Sequence, residues 1–367
     1  MEHRKLGSFS EMKYGRMPDK KKLLDKGKYP VFSGYRIVGY YDECNIDKQE
    51  LIVVARGVGG TGDVKLSPGA CFLTNLSIAV IVNESIALKE YLYYYFQINN
   101  LRYLDSGSAQ SQITIADLKN VVVPIPPLDQ QRKVVEILSR YDEKIEVNNK
   151  INDNLQQQAL AIFQQELLRD GELPEGWSSG SLLDIANYLN GLAMQKYRPA
   201  DGENGLPVLK IKELRQGSCD ASSELCSPSI KPEYIVHDGD VIFSWSGSLL
   251  VDLWCGGTCG LNQHLFKVTS EKYPKWFYYA WTAHHLARFV AIAADKATTM
   301  GHIKREELAK AEVVIPDAAS MERIGGILQP IYDLIISNRI ENRKLATLRD
   351  TILPQLMSGE IDVRDPT

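Results

Sequence analysis

The chain has 367 residues, 44% apolar and 24% charged, with a formal net charge of −4. That is long enough for two ordinary domains with cores of their own, and the composition is that of a globular protein. The longest apolar stretch, around "CFLTNLSIAVIV", is too short and too polar to span a bilayer, and the opening "MEHRKLGSFSEMKYGR" is polar where a signal peptide would be apolar. The expectation is a cytoplasmic protein with no membrane partner.

Charge is unevenly spread. Residues 1–36 carry ten Lys/Arg against four Asp/Glu, or +6, whereas 1–127 come to +3 and 171–316 to −3. A basic N-terminal patch follows, centred on "GRMPDKKK" (15–22), although charge alone does not establish a nucleic-acid partner. Next comes "LIVVARGVGGTGDVKLSPG" (51–69), with Gly57-x-Gly59-x-x-Gly62 after a β-branched run. A dinucleotide site would need those glycines to lead from a strand into a helix. Only five residues separate Gly62 from Pro68, too few for a useful helix. A Gly-rich turn is expected.

From Leu128 onward a heptad rhythm sets in. The positions Val134, Leu138, Tyr141, Ile145, Asn148, Asn152, Leu155, Ala159 and Ile162 follow in alternating steps of four and three, the spacing of a coiled-coil seam. A second globular stretch begins near "LPEGWSS" (173–179). A second long helix then gives Ile324, Leu328, Ile331, Ile335, Asn338, Asn342, Leu345, Arg349 and Ile352 in the same steps.

The two halves are copies. Shifted by 190 residues, "ITIADLKNVVVPIPPLDQQRKVVEIL" (113–138) falls on "IKREELAKAEVVIPDAASMERIGGIL" (303–328), and "TNLSIAVIV" (74–82) resembles "LNQHLFKVT" (261–269). The second counterpart of the glycine stretch, "DVIFSWSGSLLVDLW" (240–254), has no glycine triad, which again argues for a loop. Both long helices place two asparagines at matching positions. A buried Asn costs stability but fixes register; on a merely amphipathic helix the same residues would face solvent. The coincidence in both copies favours the seam. If the helices pair, connectivity makes them antiparallel, a rod of about 60 Å for some 40 residues. The expected class is α+β: two similar mixed α/β domains separated by an antiparallel two-helix coiled coil, with pseudo-two-fold repetition. The boundaries are 1–127 (first domain), 128–170 (central helix), 171–316 (second domain) and 317–367 (C-terminal helix).

Two like domains held apart by a rigid spacer suit a ligand with two separated sites, and duplex DNA is the obvious one. Here the sequence resembles the specificity (S) subunit of type I restriction–modification systems, over nearly its whole length. The marks are "LPEGW", "PIPPLDQQRKVVEIL", "ILPQLMSGEI" (352–361), and the loop "SGSAQSQIT" (106–114) with its second copy "DKATTMGHIK" (295–304). The resemblance implies two target-recognition domains, each reading half of a bipartite DNA sequence. It implies helices that dock two methyltransferase (M) subunits, which carry S-adenosylmethionine and methylate adenine, and a restriction (R) subunit that joins for cleavage. The first helix departs from the second in having no counterpart to Pro354.

The chemistry-bearing residues agree. There is no Asn-Pro-Pro-Tyr/Phe motif to hold a target amine, no phosphate loop with its Lys, and no paired acidic nuclease set. The expectation is a non-catalytic chain with no cofactor of its own. "CGGTC" (255–259), with His264 nearby, lacks a second ligand pair, so reduced structural cysteines and no metal are expected. His284–His285, Tyr93–Tyr95 and Trp276–Trp281 read as helix packing. Base-edge and phosphate contacts need Arg, Lys, Gln, Ser or Thr on loops. The candidates are Arg16, Lys20, Lys21, Lys22, Arg56, Gln110 and Gln112 in the first domain. In the second they are Lys196, Arg198, Trp245, Thr298, Thr299 and His302. The seam candidates are Leu138, Ile145, Asn148, Asn152 and Leu155 against Leu328, Ile335, Asn338, Asn342 and Leu345. Two other readings stay open: a self-contained DNA-modifying or nucleotide-binding enzyme, and a coiled-coil scaffold without DNA specificity.

Overall fold

The computed structural model describes residues 2–57, 60–105, 112–168, 171–295 and 303–361. The chain forms two compact units, residues 1–143 with 346–367, and residues 144–345. Both divisions fall inside the long helices Leu128–Leu167 and Ala318–Ser358. Each long helix thus has one part in either unit.

In the first unit the strand Glu2–Lys5 pairs antiparallel with Val122–Ile125, tying the start of the globular part to its end. An antiparallel sheet follows in the order Ser10–Tyr14, Ser77–Val82, Leu51–Val54, Val64–Leu66. Its two central strands, SIAVIV and LIVV, are β-branched and almost wholly buried, as strands covered on both faces require. A second sheet orders Ile37–Tyr41, Tyr29–Phe32 and Phe72–Leu73, the last pair parallel. The helix Lys89–Ile98 lays Tyr91, Leu92, Tyr94 and Phe96 into the core. The short helix Ile115–Asn120 starts on a capping box in which the Asp117 N–H donates to Thr114 Oγ1 and the Thr114 N–H to Asp117 Oδ2. Val134, Leu138, Leu353, Leu356 and Met357 of the long helices join the same core.

The second unit repeats the plan. Ser178–Ser181 pairs with Glu312–Ile315. A four-stranded sheet runs Asn187–Asn190, Leu265–Thr269, Val241–Ser244, Leu250–Leu253. The second sheet runs Leu225–Cys226, Leu206–Leu209, Cys259–Leu261, Ile235–Val236, with the central pair again parallel and the last strand an addition. The helix Lys275–His284 buries Trp276, Phe277, Tyr278 and Trp281. The repeat seen in the sequence is thus a repeat of strand order, sense and helix placement.

Toward its ends the seam runs into the globular cores: Leu138 shares the first core with Leu353 and Leu356, and Leu328 and Ile335 share the second with Ala159 and Phe163. Leu155 lines the second core, while Ile145 and Leu345 are only half-buried. Along the central helix between Leu138 and Ala159, only Asn148 and Asn152 are buried. The middle of the pairing is polar, because amides reach across it. Asn148 Nδ2 donates to Asn342 Oδ1 (2.8 Å) and Glu341 Oε2 (2.7 Å), and Asn338 Nδ2 donates to Asn152 Oδ1 (2.9 Å). The order 148 with 342 and 152 with 338 makes the helices antiparallel within this unit. Each copy's first asparagine donates to the other copy's second.

Candidate nucleic-acid interface

The glycine stretch lies between the paired strands Leu51–Val54 and Val64–Leu66, not between a strand and a helix. Its glycines seat Tyr35. A Cβ on Gly57 would lie 2.4 Å from the Tyr35 hydroxyl, and one on Gly60 2.3 Å from its ring. Gly62, at φ +94°, packs against the backbone of Arg102. Gly59 lies outside the described residues. No phosphate cradle is formed by the part described.

Around this turn the two units share a rim of backbone hydrogen bonds, position for position. The Gly15 N–H donates to the Ser77 carbonyl and the Arg16 N–H to Leu73; Gly191 and Leu192 do the same to Leu265 and Leu261. The Ala55 N–H donates to Leu76, as Trp245 does to His264, and the Ile113 N–H donates to Ala55, as Ile303 does to Trp245. Gly15 and Gly191 are required: a Cβ would sit 2.0 Å from the Thr74 carbonyl oxygen and 2.3 Å from that of Asn262, a clash with backbone that cannot move aside. These bonds pair Thr74, Asn75 and Leu76 with Asn262, Gln263 and His264. That is one residue later than the sequence comparison set "TNLSIAVIV" on "LNQHLFKVT".

The scaffold is common to both rims, but the side chains on it differ. In the first unit the rim carries Tyr14, Arg16, Arg56, Asn75 and Gln112. Arg16 bridges Thr74 and Arg56 bridges Gln112, so three of the sequence candidates are brought together. The Arg56 carbonyl accepts from the Tyr35 hydroxyl at 3.2 Å, and its Nε is buried with no hydrogen-bond partner among the described residues. A guanidinium held this way still has donors to offer an acceptor. Lys20, Lys21 and Lys22 form a short exposed helix after the Arg16 bridge, capped by Asp19, whose carboxylate accepts from the Lys21 N–H (3.0 Å). Among the described residues none of Arg16, Lys20, Lys21 and Lys22 has an ion-pair partner.

In the second unit the rim carries Asn190, Trp245, Ser246, Asn262, Gln263 and His264. Trp245 stacks on Phe266 and donates its indole N–H to Asn190 Oδ1 (2.9 Å). Ser246 Oγ and His264 Nδ1 are 3.1 Å apart. Lys196 is exposed on the short helix Met194–Lys196, four residues past Leu192, as Lys20 is past Arg16. Arg198 is exposed and lies 3.3 Å from Glu224, which also holds Lys210. Gln110, Thr298, Thr299 and His302 lie outside the described residues.

Sequence reasoning missed Tyr14, Tyr35 and Asn75 in the first unit, and Asn190, Ser246, Asn262 and Gln263 in the second. It met His264 only as a potential metal ligand. His264 instead faces Ser246 and Gln263, the Cys255 and Cys259 thiols donate to the Leu253 and Gly257 carbonyls, and no group of three or more His, Cys, Asp or Glu among the described residues is placed to hold a metal. His285 packs beside Trp281 with Nε2 2.8 Å from the Glu312 carbonyl, and burial lowers the pKa of both His284 and His285. No helix among the described residues is long and apolar enough to cross a membrane.

Comparison with known proteins agrees with this picture. The family described as "Type I restriction modification DNA specificity domain" matches twice, over residues 1–157 and 174–348. The type I restriction enzyme MjaIX specificity subunit of Methanocaldococcus jannaschii is 25% identical over 353 residues, covering 88% of this chain and 81% of that protein. A putative type I specificity subunit of Mycoplasma pneumoniae is 30% identical over 161 residues, 40% of this chain and 42% of that one. Among solved structures, the crystal structure of a type I restriction–modification S subunit from M. genitalium superposes with a TM-score of 0.60 at 18% identity, covering 97% of this chain and 95% of its own.

Proposed function

This chain belongs to the type I restriction–modification specificity family and serves DNA target recognition, and on that premise we propose that each unit reads one half of a bipartite duplex sequence through its rim. The observation that carries this is the pair of rims themselves. The backbone bonds of Gly15, Arg16, Ala55 and Ile113 recur at Gly191, Leu192, Trp245 and Ile303, while Arg56, Asn75 and Leu76 stand where the other unit has Ser246, Gln263 and His264. A shared scaffold with different hydrogen-bonding side chains is what two different half-sites require, since base identity is read from donor and acceptor patterns on base edges. The basic segment from Arg16 to Lys22 supplies phosphate contacts that set position without carrying sequence information.

The paired helices set the separation of the half-sites and dock two methyltransferase (M) subunits. S-adenosylmethionine and the adenine methyl transfer belong to the M subunit, a restriction (R) subunit joins the assembly for cleavage, and the complex works in the cytoplasm. The chain itself is catalytically silent. To test this, incubate the purified chain with labelled S-adenosylmethionine and duplex DNA, alone and with its methyltransferase. Label should enter DNA only in the second case, at adenines within one bipartite sequence. Incorporation by the chain alone, or methylation with no sequence preference when the partner is present, would overturn the proposal.

A further inference from the structure

The second rim contains a row of polar side chains whose orientation is fixed from one end. The His264 backbone N–H, which can only donate, donates to Asn262 Oδ1 (3.3 Å). That sets the Asn262 amide, so its Nδ2 donates to Gln263 Oε1 (3.0 Å). The Gln263 amide is thereby set as well, with Nε2 turned to His264 Nε2 (3.4 Å). An amide nitrogen only donates, so this ring nitrogen is the acceptor, and the ring proton sits on Nδ1, facing Ser246 Oγ at 3.1 Å. Asn262 and Ser246 are buried at 5% and 2% exposure, while Gln263 and His264, in the middle of the row, are half-buried.

A primary amide has two donor hydrogens and two acceptor lone pairs. In Gln263 one hydrogen is committed to His264 and one lone pair to Asn262. One donor and one acceptor remain. On the major-groove edges of the four bases, adenine alone offers the matching acceptor N7 beside the donor N6–H. We propose that Gln263 is a specificity-determining residue that reads an adenine on its major-groove edge, with Asn262 and His264 as the positioning residues that aim its amide. Among the described residues the first unit has no such device. Asn75 stands at the same place, but its neighbour Leu76 has no acceptor to hold the amide, so the two rims read different bases there.

This inference rests on the half-site reading above, and its test separates the two. The full chain is expressed with its methyltransferase, and methylated adenines are mapped across a host genome. The wild-type complex should yield a bipartite sequence with a fixed adenine, other than the methylated adenines themselves, at one position of one half. Gln263→Glu, which replaces the donor by an acceptor, should change that single position toward cytosine. Gln263→Ala should leave it unspecified, with adenine preferred about ten- to hundredfold less than before, the discrimination of one bidentate base contact. His264→Leu, which copies Leu76, should loosen the same position and no other; a merely structural role for His264 would weaken methylation at all sites without altering any base. An unchanged sequence in the Gln263 variants, or a change in both halves, overturns the inference while leaving the half-site reading standing. A wild-type complex with no bipartite sequence overturns that reading first. If a variant complex keeps its thermal transition and its methyltransferase yet methylates nothing, selection from a random duplex library decides. Enrichment of the other half alone, or of cytosine at the position, supports the inference, and unaltered adenine refutes it.

Discussion

Replacing Asn152 by Leu would leave the Asn338 amide facing a side chain that can accept nothing, at a place where the two residues are only 5% and 9% exposed. An unpaired buried amide costs about 1–3 kcal/mol, and the buried leucine returns about 1.5–3 kcal/mol of apolar transfer. Asn152→Leu alone should therefore shift stability little, and so should Asn338→Leu alone. The double variant removes both amides together. It keeps both apolar gains and forfeits only the net worth of one hydrogen bond, about 1 kcal/mol. It should therefore exceed the sum of the singles by about 1–5 kcal/mol, which for a unit of roughly 200 residues means about 2–20 °C in the thermal transition. The assay is a double-mutant cycle by calorimetry on the full chain, with light scattering of each variant. The apolar seam should also tolerate other pairings, so the double variant should show additional oligomers. Additivity within about 0.5 kcal/mol would mean that the two amides do not depend on each other, and the polar seam described above would be wrong.

Other outcomes follow from the same structure. Gly191→Ala drives a Cβ to 2.3 Å from the Asn262 carbonyl oxygen; it should cost about 1–3 kcal/mol in thermal unfolding and weaken binding to the wild-type duplex. Burial lowers the pKa of His284 and His285 below 6.5, so the unfolded state takes up their protons first and stability falls as pH drops through about 6.5. His285→Gln should flatten that decline when transition temperatures are compared from about pH 7.5 to about 5.5. Arg343 joins the C-terminal helix to Asp238 by two hydrogen bonds (2.8 and 2.7 Å) and holds that carboxylate below its usual range; Arg343→Leu should lower the transition, with the wild-type advantage vanishing in acid as Asp238 protonates. Seven residues inserted after Ile145 face seven inserted after Lys344, given the antiparallel pairing, and lengthen each helix by about 10.5 Å. Methylation mapping should then show the spacer between half-sites lengthened by two or three base pairs, or methylation sharply weakened by lost groove phase, with the bases of each half unchanged; altered bases at an unchanged spacer would refute the helices as a spacer.

How much of this was legible in the sequence depended on the physical range of each signal. The repeat, the two long helices and the matched asparagines were all visible, because period and spacing are local properties that survive in a linear string. The Gly57–Gly62 turn was legible for the same reason: too few residues precede Pro68 for a helix to follow. What those glycines accommodate was not, since Tyr35 lies more than twenty residues upstream and meets them only through the fold. The seam was half legible. Its heptad steps ran on through Leu138 and Leu328, and a heptad pattern cannot say whether an apolar residue faces a partner helix or a sheet core. The rim was least legible, for an instructive reason. Residue type taken alone picks out Arg198, which the fold sets beside Glu224, and passes over Gln263. A base-reading side chain is defined by which of its donors and acceptors are left over once its neighbours have taken theirs. In the second rim those neighbours are Asn262 and His264, adjacent in the chain, so the row lay in plain sight as three consecutive polar residues. A comparison register displaced by a single position kept Asn75 and Gln263 from being set side by side. The functional difference between the two units sits where their otherwise matching backbones carry different side chains, and it becomes visible only once the backbone hydrogen bonds supply the alignment.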